Sequence, residues 1–320
     1  MRVGLYTDGL PHLSRREVLA WCAERGILDA EMGVGSWGPQ PRPHLDLEQL
    51  LRSAAQRDDL GGELREHGVG LACVNAAGNV LHPLPAERAD AQARLRGAIE
   101  LAHALGVDTV VTMSGCPGGR TGGPLGVFAV WSTCADDEAL WEHQFECELT
   151  PFWGELSAWA RRIAPGVRIC LELHPGVTIF NAASFQRLAA VTGPNIAVNL
   201  DPSHFWWQGI DPTAVVEAVG NRVGFAHGKD TLLYPDRVRL HGVLDWRFPV
   251  DPETASWHFA AVGDGHPDGV WGELLGAIRA TGFDGVVSIE HEDPRFGPEE
   301  AIERSLAGLR RGLDLAGAAG

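Results

Sequence analysis

The sequence predicts a single-domain (β/α)8 barrel spanning residues 1–320, and three observations lead to this fold. First, short apolar segments alternate with amphipathic helical segments eight times along the chain. Second, the short segments are rich in Val, Ile and Leu nearly throughout, as strands of a buried parallel sheet are. Third, barrels of this kind routinely take a chain of this length as one domain. The alternative is a doubly wound open sheet, but the first strand is followed by TDGLPHLS instead of a glycine-rich phosphate-binding turn.

The eight predicted strands follow one another at intervals that leave room for a helix after most of them. They begin at Val3, Leu28, Val69, Val107, Val167, Asn195, Arg222 and Asp284. The first predicted helix has Ser14 at its N-cap, Glu17 three residues later and Gly26 beyond its end, which indicates a capping box and a glycine stop. The other predicted helices begin at Pro85, Trp153, Asp211, Val270 and Gly297.

Two connections are long, residues 114–140 and residues 228–268. Both follow predicted strands, so both are expected at the carboxyl-terminal face of the barrel. Long loops at that face usually carry function.

The charge balance limits the classes of partner. The chain has 26 Lys and Arg against 42 Asp and Glu, a net charge of −16, which argues against nucleic acid or an anionic membrane surface as a partner. The six cysteines form no CxxC pair, and no apolar run approaches the 18 residues of a membrane span. We therefore expect reduced thiols and a cytoplasmic protein.

Acidic and histidine side chains end four consecutive predicted strands. Glu172 ends the fifth, Asp201 the sixth, His227 the seventh and Glu290 the eighth. Catalytic groups of α/β barrels lie at these strand ends, and carboxylates there are costly to bury unless they are paired or bind metal. Three carboxylates and one imidazole suit Mn2+ or Mg2+. The alternative is that Glu172 pairs with a basic side chain and that His227 is a hydrogen-bonded core residue.

The segment NLDPSHFWWQGIDP extends this pattern beyond the sixth strand. Asp201 would be the ligand, and His204 lies about one turn later. Phe205, Trp206 and Trp207 would form an apolar wall suited to the C–H face of a sugar or to an aromatic aglycone. For Trp207 the alternative is simple packing beneath a loop.

These motifs resemble those of the sugar phosphate isomerase/epimerase superfamily, the xylose isomerase-like TIM barrels. The resemblance covers essentially the whole chain and rests on LELHPG, NLDPSHFWWQGIDP, HGKDT, HGVLDWRF, VGDGH and SIEHED in that order. It implies one Mn2+ or Mg2+ per chain, held by Glu172, Asp201, His227 and Glu290. It also places His204, the histidine of the family's D-x-x-H motif, near the metal and the substrate.

The chain departs from the family pattern at two places. Gly228 in HGKD stands where Ala or Val is commoner. Thr178 and Asn181 occupy the segment beyond Glu172, where ketohexose epimerases carry a second catalytic glutamate. Simple ketose epimerisation is therefore less well supported than the metal site.

The first functional hypothesis is a metal-dependent isomerase or epimerase acting on a sugar. A base removes the proton next to the carbonyl, and the cation stabilises the resulting enediolate. The candidate bases are Glu172, Glu290 and His204. Four other loop residues are candidates for substrate binding or proton relay: His174, Lys229, His241 and His266. Three tryptophans are candidates for substrate binding: Trp131, Trp206 and Trp246.

Three alternatives remain open to different degrees. The chain also resembles the large subunit of bacterial C-glycoside deglycosidases, which cleave 3-oxo-glycosides by the same enolisation together with a small β-rich subunit. A non-catalytic sugar-binding subunit is a second alternative, against which the intact ligand set argues. A DNA-repair endonuclease is disfavoured by the net charge of −16. We expect an oligomer. We also expect an unphosphorylated substrate, because no phosphate-binding glycine turn precedes a helix.

Overall fold

Eight parallel strands close into a barrel in the computed structural model, which describes residues 1–35, 43–120, 123–130 and 139–318. Neighbours in the barrel wall are neighbours in the chain, and the last strand closes on the first. The barrel strands are β1 (Arg2–Tyr6), β2 (Asp29–Gly33), β3 (Gly70–Asn75), β4 (Thr109–Met113), β5 (Arg168–Glu172), β6 (Ile196–Leu200), β7 (Val223–Gly228) and β10 (Val286–Ile289). Each begins within two residues of its predicted start, so the predicted (β/α)8 barrel is confirmed.

Helices surround this barrel, and all six predicted helices are present. The helices are α1 (Arg15–Glu24), α2 (Leu47–Arg52), α3 (Ala54–His67), α4 (Pro85–Leu105), α5 (Leu140–Gln144), α6 (Thr150–Ile163), α7 (Ala182–Ala189), α8 (Ser203–Trp206), α9 (Pro212–Val219), α10 (Pro235–His241), α11 (Asp268–Ala280) and α12 (Pro298–Ala318). Ser14 caps α1 with the predicted capping box. The sequence did not predict α3, because Leu60 is its one buried residue and its apolar period is too weak.

Alternation along the strands divides the barrel interior into an apolar layer and a polar layer. Inward-facing residues of six strands form a small apolar cluster, made of Cys73, Val111, Cys170, Ala197, Phe225 and Val286. Two residues further along the same strands, the side chains are polar or face a cavity, because the strand period is two. This second layer is nearer the carboxyl ends and contains Asn75, Met113, Glu172, Asn199, His227 and Ser288.

The connection over residues 228–268 is more ordered than the predicted loop. It contains the antiparallel hairpin of β8 (Asp230–Leu233) and β9 (Trp257–Ala260), with α10 between the two strands. Local alternation in DTLL and WHFA is too short to predict strands. Among the described residues, no helix combines the length and apolar character that a membrane crossing requires.

Candidate metal centre

The four side chains predicted as ligands meet at the carboxyl-terminal end of the barrel. One ligand-type atom from each of Glu172, Asp201, His227 and Glu290 lies within 4.8 Å of all the others. His227 Nδ1 is 3.0 Å from Glu290 Oε2, 3.6 Å from Glu172 Oε2 and 3.8 Å from Asp201 Oδ2. We call these four residues the quartet. Strands β5, β7 and β10 and the turn after β6 place them.

The turn after β6 fixes the Asp201 carboxylate through one oxygen and leaves the other oxygen facing the quartet. Asp201 Oδ1 accepts hydrogen bonds from the backbone N–H of Ser203 at 2.9 Å and from its hydroxyl at 2.7 Å. Asp201 Oδ2 is buried and accepts no hydrogen bond from any described residue, although Lys229 Nζ lies 3.0 Å away. The Lys229 ammonium offsets part of the cost of burying this oxygen, which still lacks a hydrogen bond. The position of this oxygen among two further carboxylates and an imidazole nitrogen fits a divalent cation.

Glu31 on β2 orients His227 from the other side of its ring. Its Oε2 lies 3.2 Å from His227 Nε2, and Asn75 Nδ2 donates a 2.7 Å hydrogen bond to Glu31 Oε1. A carboxylate on one ring nitrogen fixes the tautomer and leaves the other nitrogen for a metal ion. In the neutral ring that binds a metal ion, we assign the proton to Nε2, so that Nδ1 faces the quartet. Glu31 was not among the site residues predicted from the sequence. It lies two residues after Asp29, so both side chains are on the same face of β2, and this spacing could have indicated a position inside the barrel.

Two further histidines lie beside Glu172. His204 Nε2 is 2.9 Å from Glu172 Oε1 and 3.3 Å from Asp201 Oδ2. The His174 and His204 rings are in edge contact, with centroids 4.1 Å apart. His174, His204 and Glu172 form a second group whose ligand-type atoms all lie within 4.8 Å. The structure therefore brings both predicted histidines to the quartet.

Burial and neighbouring charges separate the proton affinities of these groups. Burial, followed by the charge of Glu290, raises the pKa of Glu172 to about 7. Burial also opposes ionisation of Glu290, but Lys229 and His227 outweigh it and lower the pKa to about 2. Burial lowers the pKa of His204 to about 4. At neutral pH Glu290 is therefore ionised and His204 is neutral, which is the form of histidine that accepts protons or binds metal.

A cavity of about 480 Å3 opens onto the quartet. Glu172 and Glu290 line it, together with Asp8, Asn75, His174, His291 and Glu292. This volume falls in the range of small-molecule sites, and the described residues that line it include no lysine or arginine.

Trp206 and His266 do not line this cavity. Their rings stack with centroids 4.0 Å apart, and Trp206 also makes an edge contact with Trp271. His266 Nδ1 lies 2.7 Å from Asp230 Oδ1, and Asp230 Oδ2 also accepts hydrogen bonds from Trp271 Nε1 and three backbone N–H groups of the 263–266 turn. A buried aspartate and aromatic packing take up both side chains, and their role in substrate binding stays a prediction.

Two further predicted contact residues, His241 and Trp246, also lie outside the cavity. His241 is exposed at the end of α10, and Trp246 is 82% exposed. Trp207 stacks on Trp257 with centroids 4.7 Å apart, which favours the packing alternative. Trp131 lies outside the described residues. The sequence placed His241 and Trp246 on the connection that follows β7, but it could not show which way that connection turns.

The two departures from the family pattern have local structural reasons. A Cβ at Gly228 would lie 2.6 Å from Leu309 Cδ1 of α12, so the helix packs into the space of the missing side chain. Thr178 Oγ1 donates to the backbone carbonyl of Gly115 at 3.0 Å, and the Asn181 side chain caps α7. Both residues that stand in the place of a second glutamate thus have structural roles.

Comparison with known proteins agrees with the fold. A family model described as Xylose isomerase-like TIM barrel matches residues 19–312. The chain belongs to this family. It is 31% identical over 316 residues to the uncharacterized protein YfiH of Bacillus subtilis (strain 168), a match that covers 97% of this chain and 99% of YfiH.

Several solved structures share the fold at low sequence identity. The probable 3-DHS dehydratase AsbF of Bacillus anthracis superposes with a TM-score of 0.67 at 16% identity, covering 97% of this chain and 99% of AsbF. The IOLI protein with a binding zinc atom gives 0.65 at 19% identity, covering 99% of each chain. A D-tagatose 3-epimerase-like protein gives 0.63 at 19% identity, covering 100% of this chain and 99% of its own. These likenesses support the barrel fold.

Proposed function

We propose that the protein is a divalent-metal-dependent enzyme that removes the proton next to the carbonyl of a sugar and so isomerises or epimerises it. One observation carries this proposal: the quartet converges beneath a polar cavity, with Asp201 Oδ2 accepting no hydrogen bond. The zinc atom named for the IOLI structure and the epimerase named among the structural neighbours are consistent with it.

The position of each residue at the site determines the role that we assign to it. When bound, a divalent cation supplies Lewis acidity that favours negative charge developing on the substrate's oxygens. Glu172 lines the cavity and contacts His204 at 2.9 Å, so this pair is placed to take up and hold the substrate proton. Glu290 also lines the cavity and is the alternative base. His174, beside His204, is placed to bind a hydroxyl group of the sugar.

Metal content tests this proposal directly. Purified protein should hold one divalent ion per chain, a chelator should abolish solvent-deuterium exchange into the substrate, and Mn2+ should restore it. Glu290→Gln and Asp201→Asn should lose metal and exchange together, because each removes a charged ligand. Elemental analysis that finds normal metal content in both variants would contradict the quartet as a metal site.

A second candidate function has one specific observation in its favour. A cavity of about 510 Å3 adjoins the first at Gly176 and is lined by Asn79, His82, Arg94 and Leu125 among others. Together the two cavities offer room for a substrate with two parts. An aglycone in the second cavity would suit a C-glycoside deglycosidase, which eliminates the aglycone after the same enolisation and would use a small β-rich partner subunit.

Product analysis separates the two functions. The protein is incubated with free ketoses and aldoses, and with oxidised glycosides, in the presence and absence of a small β-rich protein encoded beside it. An isomerase converts free sugars alone, whereas a deglycosidase releases a phenolic aglycone from a 3-oxo-glycoside. Conversion of a free sugar without aglycone release under any condition would reject the second function.

A further inference from the structure

Lys229 is the single lysine of the chain, whereas the other 25 cationic side chains are all arginine. It is 2% exposed, although lysine is among the residues least often buried. An arginine cannot replace it simply, because a guanidinium is broad and planar whereas an ammonium is a compact point charge. The position therefore calls for a small cation inside the protein.

The ammonium contacts the same oxygen atoms that the quartet would offer to a metal ion. Lys229 Nζ donates hydrogen bonds to Glu290 Oε2 at 2.7 Å and to Glu292 Oε2 at 3.0 Å, and it lies 3.0 Å from Asp201 Oδ2. Glu290 Oε2 and Asp201 Oδ2 are also the oxygens that face His227 Nδ1. The ring of Phe259, 4.6 Å away, closes the other side of the ammonium.

We propose that Lys229 is an internal cation that holds the carboxylates of Asp201 and Glu290 together in the metal-free protein and competes with the metal ion for them. This inference rests on the proposed metal centre. Two buried carboxylates this close repel each other strongly unless cations lie beside them, and Lys229 supplies a positive charge in addition to that of His227. Lys229 thereby lets the centre form before metal binds, at the cost of metal affinity.

Glu292 gives the ammonium a partner that does not belong to the quartet. Its side chain is 49% exposed and lines the cavity, so its charge is available in both states. When an ion takes the oxygens of Asp201 and Glu290, the contact with Glu292 continues to neutralise Lys229. Removing Glu292 should therefore make displacement of Lys229 from the quartet harder.

The effect of Lys229 on the stability of the metal-free protein and its effect on metal affinity are thermodynamically linked. Any free energy that Lys229 contributes to the metal-free state and not to the metal-bound state is subtracted from metal binding. Lys229→Met should lower the melting temperature of the metal-free protein more than that of the Mn2+-loaded protein. It should also tighten Mn2+ binding by about tenfold, a typical size for coupling between two sites.

Two variants test the proposal: Lys229→Met removes a positive charge and Glu292→Gln removes a negative charge. Both are measured by calorimetric titration with Mn2+ and by thermal unfolding with and without Mn2+. Lys229→Met should bind Mn2+ more tightly, whereas Glu292→Gln should bind it more weakly. Arg96→Met is the matched control, because it removes an arginine that pairs with Glu155 on the outer surface at 2.9 Å. The control should leave Mn2+ affinity unchanged.

Weaker or unchanged Mn2+ binding in Lys229→Met would overturn the role of Lys229 as a competitor. Equal loss of stability with and without Mn2+ would overturn it as well, since a packing residue alone behaves in that way. If metal-free Lys229→Met does not fold, Glu292→Gln decides: unchanged or tighter Mn2+ binding there overturns the proposal. Absence of Mn2+ binding by the wild-type protein would instead contradict the metal centre itself.

Discussion

At the scale of single residues, the centre depends on how His227 is presented. Glu31 contacts one ring nitrogen while the quartet carboxylates face the other, and Asn75 holds Glu31 in place. Burial disfavours the imidazolium, but the charges of Glu31 and Glu290 outweigh it and raise the pKa of His227 well above its usual value. A ring held in this way can rotate little, so its ligand nitrogen is preorganised.

Removing the Glu31 carboxylate should weaken metal binding without removing a ligand. Glu31→Ala should raise the dissociation constant for Mn2+ by about 10–100-fold, the usual effect of losing a partner of a ligating histidine. Glu31→Gln should have a smaller effect, because its amide oxygen still accepts a hydrogen bond. Titration calorimetry measures both, with Asp29→Asn on the same strand as a control that loosens only the 2.8 Å pair with Arg2. Unchanged Mn2+ affinity in Glu31→Ala would show that His227 needs no support.

His204 should matter for turnover and not for metal retention. It contacts Glu172 and Asp201 but lies outside the quartet. His204→Ala should therefore keep its metal and its fold while solvent-deuterium exchange slows by about 100-fold or more, as the loss of a general acid or base does. Loss of the bound ion in this variant, with the quartet intact, would instead identify His204 as a ligand.

At the scale of elements, the segments after β9 and β10 are tied together near the cavity. Asp293 accepts hydrogen bonds from the backbone N–H of Ala261 at 2.9 Å and from Arg295 Nη2 at 2.6 Å. Burial raises the pKa of Asp293, but its hydrogen bonds to Arg295 and Ala261 outweigh this effect and lower the pKa below its usual value. The ionised carboxylate thus links the end of the hairpin to the loop that carries Glu292.

This link gives a pH dependence with a defined sign. Because the pKa of Asp293 is lower in the folded protein, its stabilising effect is complete above the unfolded-state pKa of about 3.9 and is lost as pH falls through the folded value. Asp293→Asn should lower the free energy of unfolding at pH 7 by about 1–3 kcal/mol. Urea unfolding at pH 7, 5 and 3 should show the difference from wild type shrinking only at the lowest pH. A difference that does not change with pH would assign the effect to packing.

At the scale of the whole molecule, the quartet connects half of the barrel wall. Its members come from β5, the turn after β6, β7 and the end of β10, which are adjacent in the closed sheet. An ion bound to all four would oppose the opening of this side of the barrel. Metal binding and global stability should therefore be coupled.

Metal should raise the melting temperature, and the rise should grow with the logarithm of the free metal concentration above Kd. At a free Mn2+ concentration of about 100 times Kd, the stabilisation is about 2.7 kcal/mol, which corresponds to a rise of roughly 4 °C for a domain of this size. Scanning calorimetry with and without a chelator measures the shift. Asp201→Asn and Glu290→Gln should abolish it, and an equal shift in those variants would place the ion elsewhere.

The sequence alone determined the barrel and the positions of its polar strand ends. Both follow from local rules: apolar runs of strand length, helix caps such as Ser14, and the placement of Glu172, Asp201 and His227 where apolar runs stop. In a closed parallel barrel, strand ends converge at one face whatever the connecting loops do. The meeting of the quartet could thus be predicted from the chain.

Only the tertiary structure decided which other side chains reach that centre. Glu31 lies 196 residues from His227 and contacts it because closure of the barrel brings β2 across from β7. Trp206 and His266 looked like ligand contacts but pack together over the Asp230 turn. A local pattern shows which residue types lie at a strand end. The direction of each loop, and the contacts across the barrel, depend on packing between segments that are distant in the chain.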